Sequence, residues 1–301
     1  MSAYHYQLCG WHVRSDLELP ELPVWSRGAA DVEVSIEAAS LPERLDTTAP
    51  GTPWLSLDAN AAILLHVPGL VRILVQEGRL IRVQRLNPLD EGWRLFLLGS
   101  ALAYLCLQRG VFPLHAACLR VGKRTLAFAG HSGAGKSTLA VALARCGHAL
   151  VSDDLTVLQA TEDGQHIRVL PAFPRLKLWR ETLDALAIST SGLVPVRGGL
   201  DKYDLQPTGN FDTESSRMDA IVLLSEGPSL QLTRHAPAMA LPLLHGHLAR
   251  PRAAVQLGVQ ATTFAQAAAI CRTVPIWTLQ HPREFEALDA TVELVEAELG
   301  V

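Results

Sequence analysis

The stretch Gly130-His131-Ser132-Gly133-Ala134-Gly135-Lys136-Ser137 constrains this chain more than any other. It fits G-x-x-x-x-G-K-[ST] at every fixed position, the pattern of a loop that wraps a polyphosphate. Glycines let the backbone turn tightly, so that successive N–H groups point inward. Lys136 brings a mobile positive charge to the outer phosphates, and the Ser137 hydroxyl can ligate Mg²⁺. The neighbours agree. Residues 125–129 (TLAFA) read as a buried strand entering the loop, and residues 137–145 (STLAVALAR) as a helix leaving it, whose N-terminus favours anions. Gly130 to Thr138 are the expected nucleotide-binding residues.

With 301 residues, 49% of them hydrophobic and 19% charged, the chain can bury a real core and lacks the composition of long disordered arms. A net charge of −4 gives no basic field for nucleic acid. Five cysteines (Cys9, Cys106, Cys118, Cys146, Cys271) are odd in number and lack C-x-x-C spacing, so neither a zinc site nor a disulfide framework is expected. Residues 1–6 hold no apolar signal segment. The most apolar run, 95–107, is too short to span a bilayer and is flanked by charges, so it reads as a buried helix. A cytoplasmic protein with no membrane partner is expected.

Residues 1–88 read as a β-rich domain. Val32, Val34 and Ile36 alternate with Glu33, Ser35 and Glu37, and two further strand runs at 71–75 and 80–83 flank a hairpin turn at Glu77-Gly78. Pro20, Pro23, Pro50 and Pro53 punctuate the earlier pieces. Tyr4, Tyr6, Trp11 and His12 offer either a recognition surface or core packing, with core packing the simpler use. Residues 89–110 read as a linking helix. From 111 to 301 the texture is strand, loop, helix, strand, with Ser152-Asp153-Asp154 closing the strand 149–151. A hairpin is expected across Asp163-Gly164, a buried strand at 221–224, and a long glycine-rich loop at 192–210 that is either mobile or functional. An amphipathic helix built on Phe285, Leu288, Val292, Val295 and Leu299 ends the chain.

The order His115, then GHSGAGKST, then Arg145-Cys146-Gly147-His148 and Asp153-Asp154 resembles the HPr serine kinase/phosphorylase superfamily over roughly residues 111–160. A second resemblance, to the HPr-kinase-like kinases of lasso peptide gene clusters, lies in Tyr4-His5-Tyr6, Gly10, Val13-Arg14-Ser15-Asp16 and Leu19-Pro20-Glu21-Leu22. Asp201-Lys202-Tyr203, Val274-Pro275-Ile276-Trp277 and Pro282-Arg283 are similar to that group as well. The fold implied is α/β, a P-loop HPr-kinase-like C-terminal core beside a β-rich N-terminal domain. The activity implied is ATP- and Mg²⁺-dependent phosphorylation of a serine, in the lasso group at the C-terminus of a precursor peptide. One departure stands out. The bifunctional enzymes carry E-[IV]-R-G-x-G, and the nearest stretch here is Pro195-Val196-Arg197-Gly198-Gly199, with proline in place of the glutamate; this weighs against phosphorylase activity and against HPr as substrate.

The resemblance gives the general base to Asp154 and leaves Asp153 with Ser137 for the metal. Lys136 serves the phosphates. His115 stands either beside them or as a buried histidine satisfied by a neighbouring strand. Arg175, Lys177, Arg197 and Lys202 are candidates to clamp a phosphate or a peptide carboxylate, with Lys202 and Arg197 of the long loop preferred. Three alternatives stay open: an HPr-like carrier as acceptor, a small hydroxylated metabolite as acceptor, or a P-loop ATPase or nucleotide switch. The last draws on Glu226 at the end of a later apolar strand. Members of the superfamily assemble as hexamers, which leaves a homo-oligomer open here.

Overall fold

The computed structural model describes residues 3–46, 54–197, 199–206 and 211–300. Met1-Ser2, Pro50, Pro53, Gly198 and the end of the 192–210 stretch lie outside the described residues. The chain divides into two compact units, Met1–Val111 with Arg250–Thr263, and Phe112–Ala249 with Phe264–Val301. It is a mixed α/β protein with several sheets.

The first unit is built on a seven-stranded mixed sheet in the order Tyr4–Leu8, Trp11–Ser15, Val34–Ala38, Leu80–Arg85, Val71–Gln76, Ile63–Val67, Leu55–Leu57. The alternation expected from Val32 starts two residues later: Val34 and Ile36 are buried, whereas Val32 is exposed outside the strand. Glu77 and Gly78 both take positive φ, 53° and 64°, in the three-residue loop 77–79 that joins strands paired at Gln76 and Leu80, and the Arg79 N–H donates to the Gln76 carbonyl at 3.1 Å. Only glycine fits at 78, because a Cβ there would stand 2.8 Å from Arg109 Cγ. The run 95–107 is helical and mostly buried, within Trp93–Phe96, a π-helical turn Leu97–Ala101 and Leu102–Gln108. Tyr6, Trp11 and His12 go into the core, leaving Tyr4 exposed.

The second unit carries the loop. Its six-stranded sheet runs Ala149–Ser152, Ala116–Val121, Arg124–Ala129, Ala220–Glu226, Ile276–His281, Gln231–Arg234. Three of these strands, Arg124–Ala129, Ala220–Glu226 and Ile276–His281, are parallel neighbours. Ala149–Ser152 points the same way, since two antiparallel pairings separate it from Arg124–Ala129. The helix Lys136–Arg145 buries Leu139, Ala140 and Leu143 beside Val292, Val295 and Leu299 of the closing helix Leu288–Leu299. Burial of a Val or Leu side chain stabilises by about 1.5–3 kcal/mol, so this apolar seam is what fixes the helix behind the loop.

Two small sheets flank the core. Thr156–Ala160 and Ile167–Leu170 form the hairpin over Asp163-Gly164, extended by Phe112–Leu114 and Ser216–Arg217. The stretch 192–210 is not one long loop: it supplies Val194–Pro195 and Lys202–Leu205, which pair with each other, and Lys202–Leu205 also pairs with Leu176–Trp179. Both strands are short, and the order of Lys202–Leu205 comes from a partner more than twenty residues upstream rather than from its own pattern.

Candidate functional site

Four strands that point the same way end at one place. Arg124–Ala129 runs into the glycine-rich loop 130–135, Ala149–Ser152 into Asp153-Asp154, Ala220–Glu226 into Glu226, and Ile276–His281 into His281. The carboxyl ends of parallel strands are where open α/β sheets bind ligands. Here an open cavity of about 480 Å³ is lined by Ser132 to Thr138, His115, Asp154, Lys177, Lys202, Glu226 and His281.

The loop has the backbone its glycines allow. Gly133 and Gly135 take φ of 85° and 88°, and a Cβ on Gly130 would meet Ala134 Cβ at 2.9 Å. Lys136 is almost fully buried and folds back over the loop, its ammonium donating to the Gly130 and His131 carbonyls at 2.8 and 3.0 Å. Burial lowers its pKa, with Asp154 and Asp153 acting in the opposite sense. His131 and Gly130 thus hold the lysine through their carbonyls, while Ser132 to Thr138 face the cavity. Thr138 Oγ1 lies 3.4 Å from Thr182 Oγ1.

The two aspartates part company at once. Asp153 is buried; its Oδ1 accepts from Ser137 Oγ at 3.1 Å and its Oδ2 from the Lys177 backbone N–H at 3.1 Å. Burial raises its pKa and the neighbouring Asp154 adds to the rise. Asp154 takes φ of 68°, a left-handed conformation that aspartate tolerates better than most residues, and turns its carboxylate toward the cavity with 42% exposure. There burial works against its charge, but the Lys177 ammonium at 2.9 Å, then His115 and Lys202, prevail and hold the carboxyl well below the usual range. His115, at the crossing from Phe112–Leu114 to Ala116–Val121, donates Nδ1–H to the Asp154 carbonyl at 2.8 Å, since a carbonyl can only accept. His115 therefore steadies the turn that presents Asp154.

Lys202 lies at the rim with its ammonium 5.4 Å from the centre of the Trp179 ring. Arg197 stands apart from this group. It is exposed and does not line the cavity, because it follows Val194–Pro195, the strand of its sheet farthest from Leu176–Trp179. Arg175 is buried and forks onto the Asp204 carboxylate, with Nε to Oδ1 at 2.6 Å. His281, which local reading left without a role, joins the site, and so does Lys177, one of the four candidate cations. His281 places Nε2 3.3 Å from the Ala134 carbonyl of the loop, and Lys177 binds both aspartates. The only local signal for Lys177 is the alternation Leu176-Lys177-Leu178, which buries both leucines in the core and turns the lysine to the other face.

Among the described residues no group of three or more His, Cys, Asp or Glu side chains could hold a metal ion. No described helix is long and apolar enough to cross a membrane. No family profile matches the chain, and no curated protein does. Among solved structures the chain is similar to the HPr(Ser) kinase/phosphatase from Coxiella burnetii, with a TM-score of 0.33 and 13% identity over 62% of this chain and 94% of that one.

Proposed function

We propose that the chain is an ATP- and Mg²⁺-dependent kinase that phosphorylates a serine hydroxyl, with a ribosomal precursor peptide of the lasso type, at its C-terminal serine, as acceptor. The observation that carries this reading is the separation of the two aspartates: one is bound to the loop serine, the other presented to the cavity within reach of the same loop.

The residues fit the metal. Ser137 Oγ and Asp153 give two hard oxygen donors side by side, and Mg²⁺ is commonly held by one or two protein oxygens with phosphates and waters completing the octahedron. Asp153 is a buried carboxylate beside a second carboxylate, an arrangement that a cation relieves. When bound, the ion neutralises charge on the outer phosphates. Lys136 leaves the Gly130 and His131 carbonyls for phosphate oxygens, and the loop N–H groups of Ser132 to Ser137 take the rest. Asp154 accepts the proton of the acceptor hydroxyl as its oxygen bonds to the terminal phosphorus and the bond from that phosphorus to the departing diphosphate breaks. Lys202, at the rim, pairs with the peptide's terminal carboxylate. Any peptide recognition by the N-terminal unit would use a surface other than its Tyr4–Leu8 edge, which is already engaged by backbone bonds from Gln7 N–H to Pro23 and from Trp25 N–H to His5.

A second reading has its own observation. Glu226 ends the strand beside the loop strand, is exposed and lines the cavity, where it can orient water for hydrolysis. Incubation with labelled ATP, with and without peptides ending in serine, separates the two. Mass spectrometry showing one added phosphate on the peptide supports the kinase. Phosphate release that ignores the peptide supports the ATPase, and efficient transfer to intact HPr with none to such peptides overturns the acceptor.

A further inference from the structure

We propose that Lys177 is a second phosphate-contacting residue, whose ammonium is shared between Asp154 and the terminal phosphate of a bound nucleoside triphosphate. The assignment rests on the reading above only in requiring a triphosphate at the loop. It begins with strand register. Lys177 pairs with Asp204 and Trp179 with Lys202, so these side chains share the face of the small sheet opposite Leu176, Leu178, Tyr203 and Leu205, which belong to the core. On that face Arg175 is committed to Asp204, and Lys202 lies over Trp179. Lys177 is the cation of this row tied to the aspartates.

Its position along the site follows from two short links. Ser137 Oγ bonds Asp153 at 3.1 Å, and Asp153 bonds the Lys177 backbone N–H at 3.1 Å. The serine of such a loop marks the metal that bridges the outer phosphates, so Lys177 stands at the terminal-phosphate end of the cavity that it lines. An ammonium carries three N–H donors. Among the described residues the Lys177 ammonium makes one hydrogen bond, to Asp154 Oδ2 at 2.9 Å, while its side chain is only 8% exposed. A nearly buried ammonium with donors to spare is costly unless something accepts from them. Phosphate oxygens are the acceptors this cavity is built to receive. Lys136 differs, since it already spans two loop carbonyls and must break both to engage a ligand.

The test is calorimetric binding of MgATP and MgADP, which reads no turnover. A contact to the terminal phosphate predicts that Lys177→Met weakens ATP about ten- to hundred-fold, the range for a hydrogen bond involving charged groups, and leaves ADP within about three-fold. Lys177→Arg should keep the preference for ATP, and Lys177→Gln replaces the Met variant if circular dichroism shows the latter unfolded. Equal losses for both nucleotides, or none for either, overturn the proposal. If the ATP preference disappears as expected and yet no acceptor is phosphorylated by the wild type, the kinase reading falls and the role of Lys177 stands. If neither nucleotide binds the wild type, both fall.

Discussion

Asp153 and Asp154 are chemically identical and adjacent, and their surroundings give them opposite properties. Burial next to another carboxylate makes Asp153 hard to ionise, whereas Lys177 above all, with His115 and Lys202, keeps Asp154 charged against its own burial. Asp154→Asn should therefore lower turnover by about two to four orders of magnitude, the usual range for loss of a general base, with nucleotide affinity nearly unchanged. Asp153→Asn should instead weaken MgATP binding, because it removes the carboxylate that holds Ser137. Steady-state kinetics beside calorimetric titration separates the two, and the reverse pattern would exchange the roles. His247 adds a pH dependence. Burial first, then His131, Lys136 and His115, lower its pKa from 6.5 to about 4. Between those values the unfolded chain binds the proton that the folded chain refuses, so stability rises with pH across the window and is lost on acidification. Melting temperatures of His247→Gln should fall less steeply from pH 6.5 to 4 than those of the wild type; parallel curves would remove this histidine as a cause. At this scale the sequence spoke clearly only for residues inside a local pattern. Lys136, Ser137 and the aspartate pair sit in motifs, whereas strand pairing brings in Lys177, one of four candidate cations that local pattern could not rank, and His281, which had no local signal.

Elements were legible where their cause is local. The buried strand into the loop, the helix Lys136–Arg145 and the hairpins at Glu77-Gly78 and Asp163-Gly164 each rest on a turn residue or an apolar run within a few positions. The three-stranded sheet was not legible, because Val194–Pro195 and Lys202–Leu205 are too short to show an alternating pattern, and the pairing that orders them runs to Leu176–Trp179 through Lys202–Leu205. The loop helix shows how an element serves the site. Its first residue is Lys136, and its buried face fixes where that lysine begins. Leu143, fully buried near the last turn, anchors this face away from the cavity. Leu143→Ala should cost about 2–5 kcal/mol through the cavity it leaves, read as a lower denaturant midpoint with an unchanged slope. A loss well under 1 kcal/mol would mean that the seam with the closing helix is not what holds this element.

At the scale of the whole molecule, the loop, the aspartates, Glu226 and His281 come from segments as far apart as residues 130 and 281, and parallel strand direction alone gathers them. Such a site is completed only by folding, so a ligand that binds it stabilises the folded chain by mass action. At a nucleotide concentration about a hundred times Kd the gain is about 2.7 kcal/mol. In a calorimetric scan MgATP should raise the transition that carries the second unit, Phe112–Ala249 with Phe264–Val301, by several degrees. Lys136→Ala should abolish the rise, since it removes the loop's own ammonium from the outer phosphates, and its circular dichroism without nucleotide should match the wild type. Removing Mg²⁺ with a chelator should shrink the rise in the wild type, because Ser137 and Asp153 then have no ion through which to hold the phosphates. A rise of equal size in Lys136→Ala would show that the nucleotide stabilises the chain from somewhere other than this loop.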